Sequence, residues 1–304
     1  MKNLSDKNIA VLALLAIVVG SGAVPVSVKI GVQELSPEFF SFLRFFLAFL
    51  VLSPLFIKHR VKFNRDFIVL ILISLLLTLN ILAFSYGLKT TTATIGQLLY
   101  AVSPVFIAIF SFVLFKEKIT AGKIAGVLLG VLGTTVVLSI PLIASGLQSA
   151  GDLKGNLLVI VGVISTAAYT SLSQKLHVKF SPAQVAQAFF LTTAFSMFVL
   201  SLPEILRSGN QILAMKPETL LAVLYVGGVG TPILYVAYQY AIKHGSPLIA
   251  SVNFFIAPFS SLTWAYILLS ERLNPILSVG GALVLLGAYL IFKSTKKAKI
   301  DIRA

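Results

Sequence analysis

The chain has 304 residues, of which 58% are hydrophobic and 11% charged, with a mean hydropathy of +0.98 and no cysteine. Globular domains carry roughly 25% charged residues, so too little polar surface is left to cover a water-soluble ball, and a soluble enzyme, a disordered chain, a zinc finger and a disulfide scaffold are excluded. The formal net charge of +14 comes from 24 Lys+Arg against 10 Asp+Glu. It would suggest nucleic acid in a soluble chain, but orientation-setting loops in a membrane one.

A helix crossing the hydrocarbon layer takes roughly 20 mostly apolar residues. Reading from break to break predicts ten spans, at 9–31, 37–57, 67–87, 92–115, 119–140, 156–174, 182–203, 218–241, 246–269 and 275–293. Their apolar runs are continuous rather than alternating, which excludes a β-barrel. The first follows Lys2 and Lys7, yet it is too long for a signal-peptide core and lacks an Ala-x-Ala-type end, so it is read as a retained helix. Placing both termini in the cytoplasm puts 17 of the 24 cations in cytoplasmic segments and six at outer ends, with Arg44 inside the second span. That excess fixes the expected orientation. The tail "KSTKKAKIDIRA" is read as its last signal, with contact to anionic lipid as the alternative.

The two halves repeat. At an offset of 154, "YGLKTTTATIGQLLYAVSPVF" falls on "YAIKHGSPLIASVNFFIAPFS", with Tyr86 over Tyr240, Lys89 over Lys243 and Pro104 over Pro258. Further on, Glu117 meets Glu271, Lys118 meets Arg272, Gly126 meets Gly280 and Gly133 meets Gly287. Earlier in each half, Ser36-Pro37 matches Ser181-Pro182 at an offset of 145. The expected units are residues 1–147 and 148–304, five spans each, together one transmembrane domain. An odd span count makes the second copy enter from the opposite side. The expected architecture is therefore all-α and polytopic, ten helices in a 5+5 inverted-topology repeat, with a substrate site near the midplane and alternating access.

The block "SPEFFSFLRFF" follows the first span, and "SPVFIAIFSFVLFKEKITAGKIAGVLLGVLGTTVVL" is repeated as "APFSSLTWAYILLSERLNPILSVGGALVLLGAYLIF". They resemble the EamA-type branch of the drug/metabolite transporter superfamily, in a resemblance that covers nearly the whole chain. The resemblance implies ten helices, a central cavity and movement of small metabolites, often outward. Exporters in that branch handle amino acids and related compounds, while relatives take choline-like cations or sugar phosphates.

Intramembrane ionisable groups are the usual functional candidates. All ten carboxylates fall at span ends or in loops, which argues against a carboxylate-based proton or sodium relay. Glu117 and Glu271 are expected to cap the helices that follow them, with a gating ion pair as the alternative. Lys29 and Arg44 are expected to snorkel or pair, Arg44 with Glu34 or Glu38; otherwise one of them contacts an anionic substrate. Polar and aromatic side chains inside apolar spans should turn away from lipid. The cavity candidates are Asn80, Gln97, Tyr100, Thr166, Tyr169, Tyr235, Tyr238, Asn253 and Phe254, and packing between helices is the competing reading for each. Pro25, Pro104, Pro232 and Pro258 are hinge candidates, with static kinks as the alternative. The Gly122, Gly126, Gly130 and Gly133 stripe, with Gly280 and Gly287, is read as intramolecular packing rather than a dimer seam.

No Walker A loop, His-Glu-x-x-His motif or paired intramembrane Asp is present, and His59, His177 and His244 all sit near span ends. The sequence calls for no catalysis, cofactor or metal. The expected partners are a small-molecule substrate and the bilayer, with no nucleic acid, for a monomer or weak homodimer. The expected location is a prokaryotic inner membrane.

Overall fold

The structure, a computed structural model, describes residues 8–9, 12–13, 15–17, 22–58, 64–115, 120–143, 152–207, 214–245, 247–251, 253–271 and 275–301. Glu117, Lys118 and Arg272 lie outside the described residues, as does the side chain of Pro258. The helices are α1 (Val24–Glu34), α2 (Pro37–Lys58), α3 (Arg65–Thr90), α4 (Ala93–Tyr100), α5 (Ser103–Phe115), α6 (Ala121–Ile143) and α7 (Leu153–Leu176). They continue with α8 (Pro182–Arg207), α9 (Pro217–Tyr225), a π-helical turn (Val226–Gly230), α10 (Thr231–His244), α11 (Pro247–Ala250), α12 (Asn253–Leu269) and α13 (Pro275–Asp301). No strand occurs among the described residues.

Local chemistry sets the helix starts. The repeated Ser-Pro pairs are N-caps followed by proline at the first helical position, where a missing N–H costs nothing. Ser36 Oγ accepts from the Phe39 N–H at 3.2 Å. Ser181 and Gln184 bond reciprocally, each side chain accepting from the other's N–H, at 3.3 and 2.8 Å. Asn64 and Thr92 cap α3 and α4 in the same way.

Three predicted spans carry an irregular turn rather than running as uniform α-helix. Between α4 and α5 the chain turns at Ala101–Val102. Pro104 has no N–H for the Tyr100 carbonyl four residues back, and the Ser103 hydroxyl takes that carbonyl at 2.6 Å. The ninth span divides into α11 and α12, and the eighth widens into the π turn just before Pro232. Of the hinge candidates, Pro25, Pro104 and Pro232 lie in the first turns of α1, α5 and α10, whereas Pro258 falls inside α12.

The largest helix contacts run across the two halves: α6 with α13, α3 with α7, and α2 with α8. Glycine makes the first of these possible. A Cβ on Gly126 would sit 2.5 Å from the Gly287 carbonyl oxygen, and one on Gly133 would sit 2.6 Å from that of Gly280. The glycine stripe is thus consumed inside the chain. At one end Glu34, closing α1, accepts from the Lys216 N–H at 3.1 Å, and the Thr219 hydroxyl and this N–H hold its carboxyl below the usual range.

Among the described residues six helical segments are long and apolar enough to cross a bilayer: Pro37–Leu55, Arg65–Thr90, Ala93–Leu114, Leu153–Leu176, Pro182–Arg207 and Pro217–His244. Shorter apolar helices add Ala121–Val137, Ser260–Leu269 and Ser278–Ile291. Large apolar side chains such as Leu72, Leu128, Phe195 and Leu221 face outward, as a lipid-facing surface requires. The chain is a polytopic, all-helical membrane protein.

Candidate functional site

Polar groups within apolar helices cost several kcal/mol unless they meet one another or a cavity. Here they do both, around a central cavity of about 100 Å³. All nine cavity candidates line it: Asn80 from α3, Gln97 and Tyr100 from α4, Thr166 and Tyr169 from α7, Tyr235 and Tyr238 from α10, and Asn253 and Phe254 from α12. Arg44 and Pro25 also line it, whereas Lys29, Pro104 and Pro232 do not.

The wall is held by hydrogen bonds between helices. Asn80 Nδ2 donates to the Tyr100 hydroxyl and, at 2.9 Å, to the Gly162 carbonyl, joining α3, α4 and α7. The Tyr238 hydroxyl lies 3.2 Å from Thr170 Oγ1. Gln239 Nε2 donates to the Tyr169 hydroxyl at 3.0 Å, and its Oε1 lies 3.0 Å from His177 Nε2. Aromatic rings complete the wall: Tyr100 meets Phe84 edge-on at 5.1 Å, Tyr238 meets Phe254 edge-on at 6.0 Å, and Tyr235 packs on Phe189 at 4.8 Å. Asn253 Oδ1 is buried with no hydrogen-bond partner among the described residues.

Arg44 does not follow either expected pairing. It is 2% exposed, its Nε donates to Thr231 Oγ1 at 2.6 Å, and the Tyr235 hydroxyl also bonds to the guanidinium. Its Cζ lies 5.0 Å from the centroid of the Phe45 ring, within cation–π range. Glu34 is engaged by Lys216, and Glu38 accepts from the Tyr86 hydroxyl. Both carboxylates sit at the end of the bundle, beyond the reach of a side chain turned inward to the cavity.

Lys29 instead bonds to backbone at that end. Its Nζ donates to the carbonyls of Leu88 and Thr91, each at 2.6 Å, at the C-terminal end of α3. Glu271 also departs from expectation. Its carboxylate accepts from the N–H groups of Ala93 and Thr94, capping α4 of the opposite half rather than the helix that follows it. The physical reason is the turn before it: Ser270 is left-handed, with φ 54°, and the Glu271 N–H folds back onto the Ala265 carbonyl at 3.2 Å.

Sequence reasoning missed several contributors. Thr231, Gln239 and Ser260 are polar residues in apolar runs and carried the same signal as Asn80. Leu77, Ile81, Phe84 and Leu234 also line the cavity, and apolar residues in an apolar span carry no such signal.

Comparison with known proteins fits this architecture. A model of the EamA-like transporter family matches residues 8–139 and 153–293. The chain belongs to the EamA-like transporter family. A protein of Archaeoglobus fulgidus described as an uncharacterized transporter is 30% identical over 270 residues, covering 86% of this chain and 90% of its own length. A probable terminal-alkyne amino-acid exporter of Streptantibioticus cattleyicolor is 26% identical over 212 residues, covering 69% of this chain and 68% of its own. A crystal structure superposes with a TM-score of 0.64 at 18% identity, over 92% of this chain and 94% of the other, and speaks to the fold alone. As an EamA-like protein the chain is a transporter and not an enzyme.

Proposed function

We propose that this EamA-like protein is a secondary, alternating-access transporter that exports small organic metabolites, amino acids or close relatives of them, across a prokaryotic inner membrane. One observation carries the reading: a small cavity is walled by polar and aromatic side chains of both halves. Helices of one half packed across those of the other support a 5+5 inverted repeat, the cation excess in alternate segments supports cytoplasmic termini, and such repeats expose a central site to each side in turn. The units 1–147 and 148–304 then act as one domain. The similarity to a probable terminal-alkyne amino-acid exporter supports both substrate class and direction.

Arg44 favours one alternative over another. It is the only charged residue among the described residues lining the cavity. A positive charge in a low-dielectric wall repels choline-like cations and attracts anions. The second reading is therefore an importer or exchanger of organic anions. Counterflow of labelled amino acids and organic anions in proteoliposomes tests both. Saturable counterflow of amino acids supports the first reading, saturable counterflow of non-amino-acid anions alone supports the second, and flux rising linearly with concentration rejects a carrier.

A further inference from the structure

We propose that Arg44 is the seat of a substrate carboxylate, and that the carboxylate binds by taking over guanidinium donors now held by the Thr231 and Tyr235 hydroxyls at the π turn. The inference rests on the transporter reading above and names the recognised group.

The guanidinium has five N–H donors in a planar fork that matches a carboxylate. Among the described residues, two hydroxyl oxygens and the face of Phe45 meet it. Among the described residues no carboxylate pairs with it; Glu34, Glu38 and Glu271 are engaged by Lys216, Tyr86, and the Ala93 and Thr94 N–H groups. Burying an ion without a counter-ion is costly, and neutral hydroxyls offset only part of that cost. A carboxylate entering the cavity supplies the missing charge.

Charge balance fixes the class of anion. Among the described residues the lining holds one cation, and Lys29 is spent on backbone carbonyls outside it. A carboxylate neutralises that cation, whereas a phosphate dianion would leave a buried negative charge unpaired. An amino acid also brings an ammonium, whose charge the unpartnered acceptor on Asn253 and the faces of the tyrosines are suited to offset.

The position of Arg44 links binding to movement. Its side chain holds Thr231, the first residue after the π turn, and its carbonyl oxygen is 3.0 Å from where a Cβ on Gly227 would lie, inside that turn. One residue of the first half therefore grips the interrupted helix of the second through both side chain and backbone. An anion that draws the guanidinium away from Thr231 and Tyr235 releases the side-chain part of that grip.

The test is ligand binding to the purified full-length protein, read by thermal shift and calorimetry at pH 7. The probes are the standard amino acids, each beside its C-terminal amide, together with acetate, benzoate and inorganic phosphate. The expected result is that at least one carboxylate binds wild type, that its amide binds at least ten-fold more weakly, and that Arg44→Gln loses the binding. Arg44→Lys, which keeps the charge without the fork, should fall between. Should Arg44→Gln not fold, the acid-against-amide comparison on wild type decides alone. Equal binding of acid and amide, unchanged binding by folded Arg44→Gln, binding of phosphate only, or no carboxylate bound at all overturns the proposal. Arg44-dependent binding of benzoate or acetate without any amino acid upholds the carboxylate seat and removes the amino-acid reading. Saturable amino-acid counterflow that does not depend on Arg44 does the reverse.

Discussion

The carboxylate of Glu271 is bonded to the N–H of Ala93 at 3.0 Å, with the Thr94 N–H at 2.9 Å on its other oxygen. A residue following α12 thereby caps α4 of the opposite half. The first N–H groups of a helix have no intrahelical partners and carry partial positive charge, so a carboxylate there is held by two charge-assisted bonds. Beside it Lys29 holds the two carbonyls at the other side of the α3–α4 break. Together they tie α1, the α3–α4 break and the end of α12 into one clamp at one end of the bundle. Glu271→Gln should weaken that clamp by about 1–2 kcal/mol. A single cysteine at Ser260, in a chain that otherwise has none, should then react faster with a maleimide than in the parent background. Identical labelling rates would show that the contact does not restrain opening.

Packing of α6 on α13 allows a sharper contrast. At Gly126 an added methyl group would strike the Gly287 carbonyl, 2.5 Å away, and backbone cannot swing aside as a side chain can. Around Gly228, inside the π turn, no atom lies within 4 Å of an added Cβ. Gly126→Ala is expected to lose about 1–3 kcal/mol or fail to fold. Gly228→Ala should be neutral or stabilise slightly, since alanine loses less backbone entropy. Thermal unfolding of the two variants in the same detergent checks the pair.

The cavity was more legible than its electrostatics. Asn80, Gln97, Thr166 and Asn253 stand out because an amide or hydroxyl facing lipid is costly, so each had to turn inward, and the inward side of this bundle is one cavity. Arg44 was equally visible, but its partners were not. Thr231 lies 187 residues away and Glu34 and Glu38 only a few, and proximity along the chain does not report which way a side chain turns. The same limit hid the target of Glu271, whose direction depends on a single left-handed serine. The break after Tyr100 was implied by Pro104, but its closure by the Ser103 hydroxyl depends on three-dimensional geometry.

His177 gives stability a pH dependence of known sign. Burial pushes its imidazole down to about 4, against the weaker upward pull of the Phe180 backbone and Gln239, while nearby Lys243 and His244 add to the depression. The folded protein therefore binds this proton less readily than the unfolded chain, whose histidine titrates near 6.5. The stabilisation is complete above about pH 6.5 and is lost progressively as pH falls toward 4, by about 3 kcal/mol at most. Melting temperature should fall across that window in wild type and fall less steeply in His177→Gln. Parallel curves would show that another group sets the dependence.

The last prediction concerns Asn80, where packing and cavity roles coincide. Its amide donates to both the Tyr100 hydroxyl and the Gly162 carbonyl, so it holds α4 against α7 while fixing the direction of a cavity-lining phenol. Asn80→Ala removes both donors and should cost about 1–3 kcal/mol. Tyr100→Phe removes only the hydroxyl, leaving the ring stacked edge-on against Phe84 and Asn80 still bonded to Gly162. It should therefore cost less, on the order of 1 kcal/mol. If the Asn80–Tyr100 bond orders the cavity, the double variant will be less destabilised than the sum of the two singles, because both break the same contact. Strict additivity in a thermal or denaturant titration would instead show that Asn80 acts through Gly162 alone, as a helix-to-helix tie with no part in shaping the site.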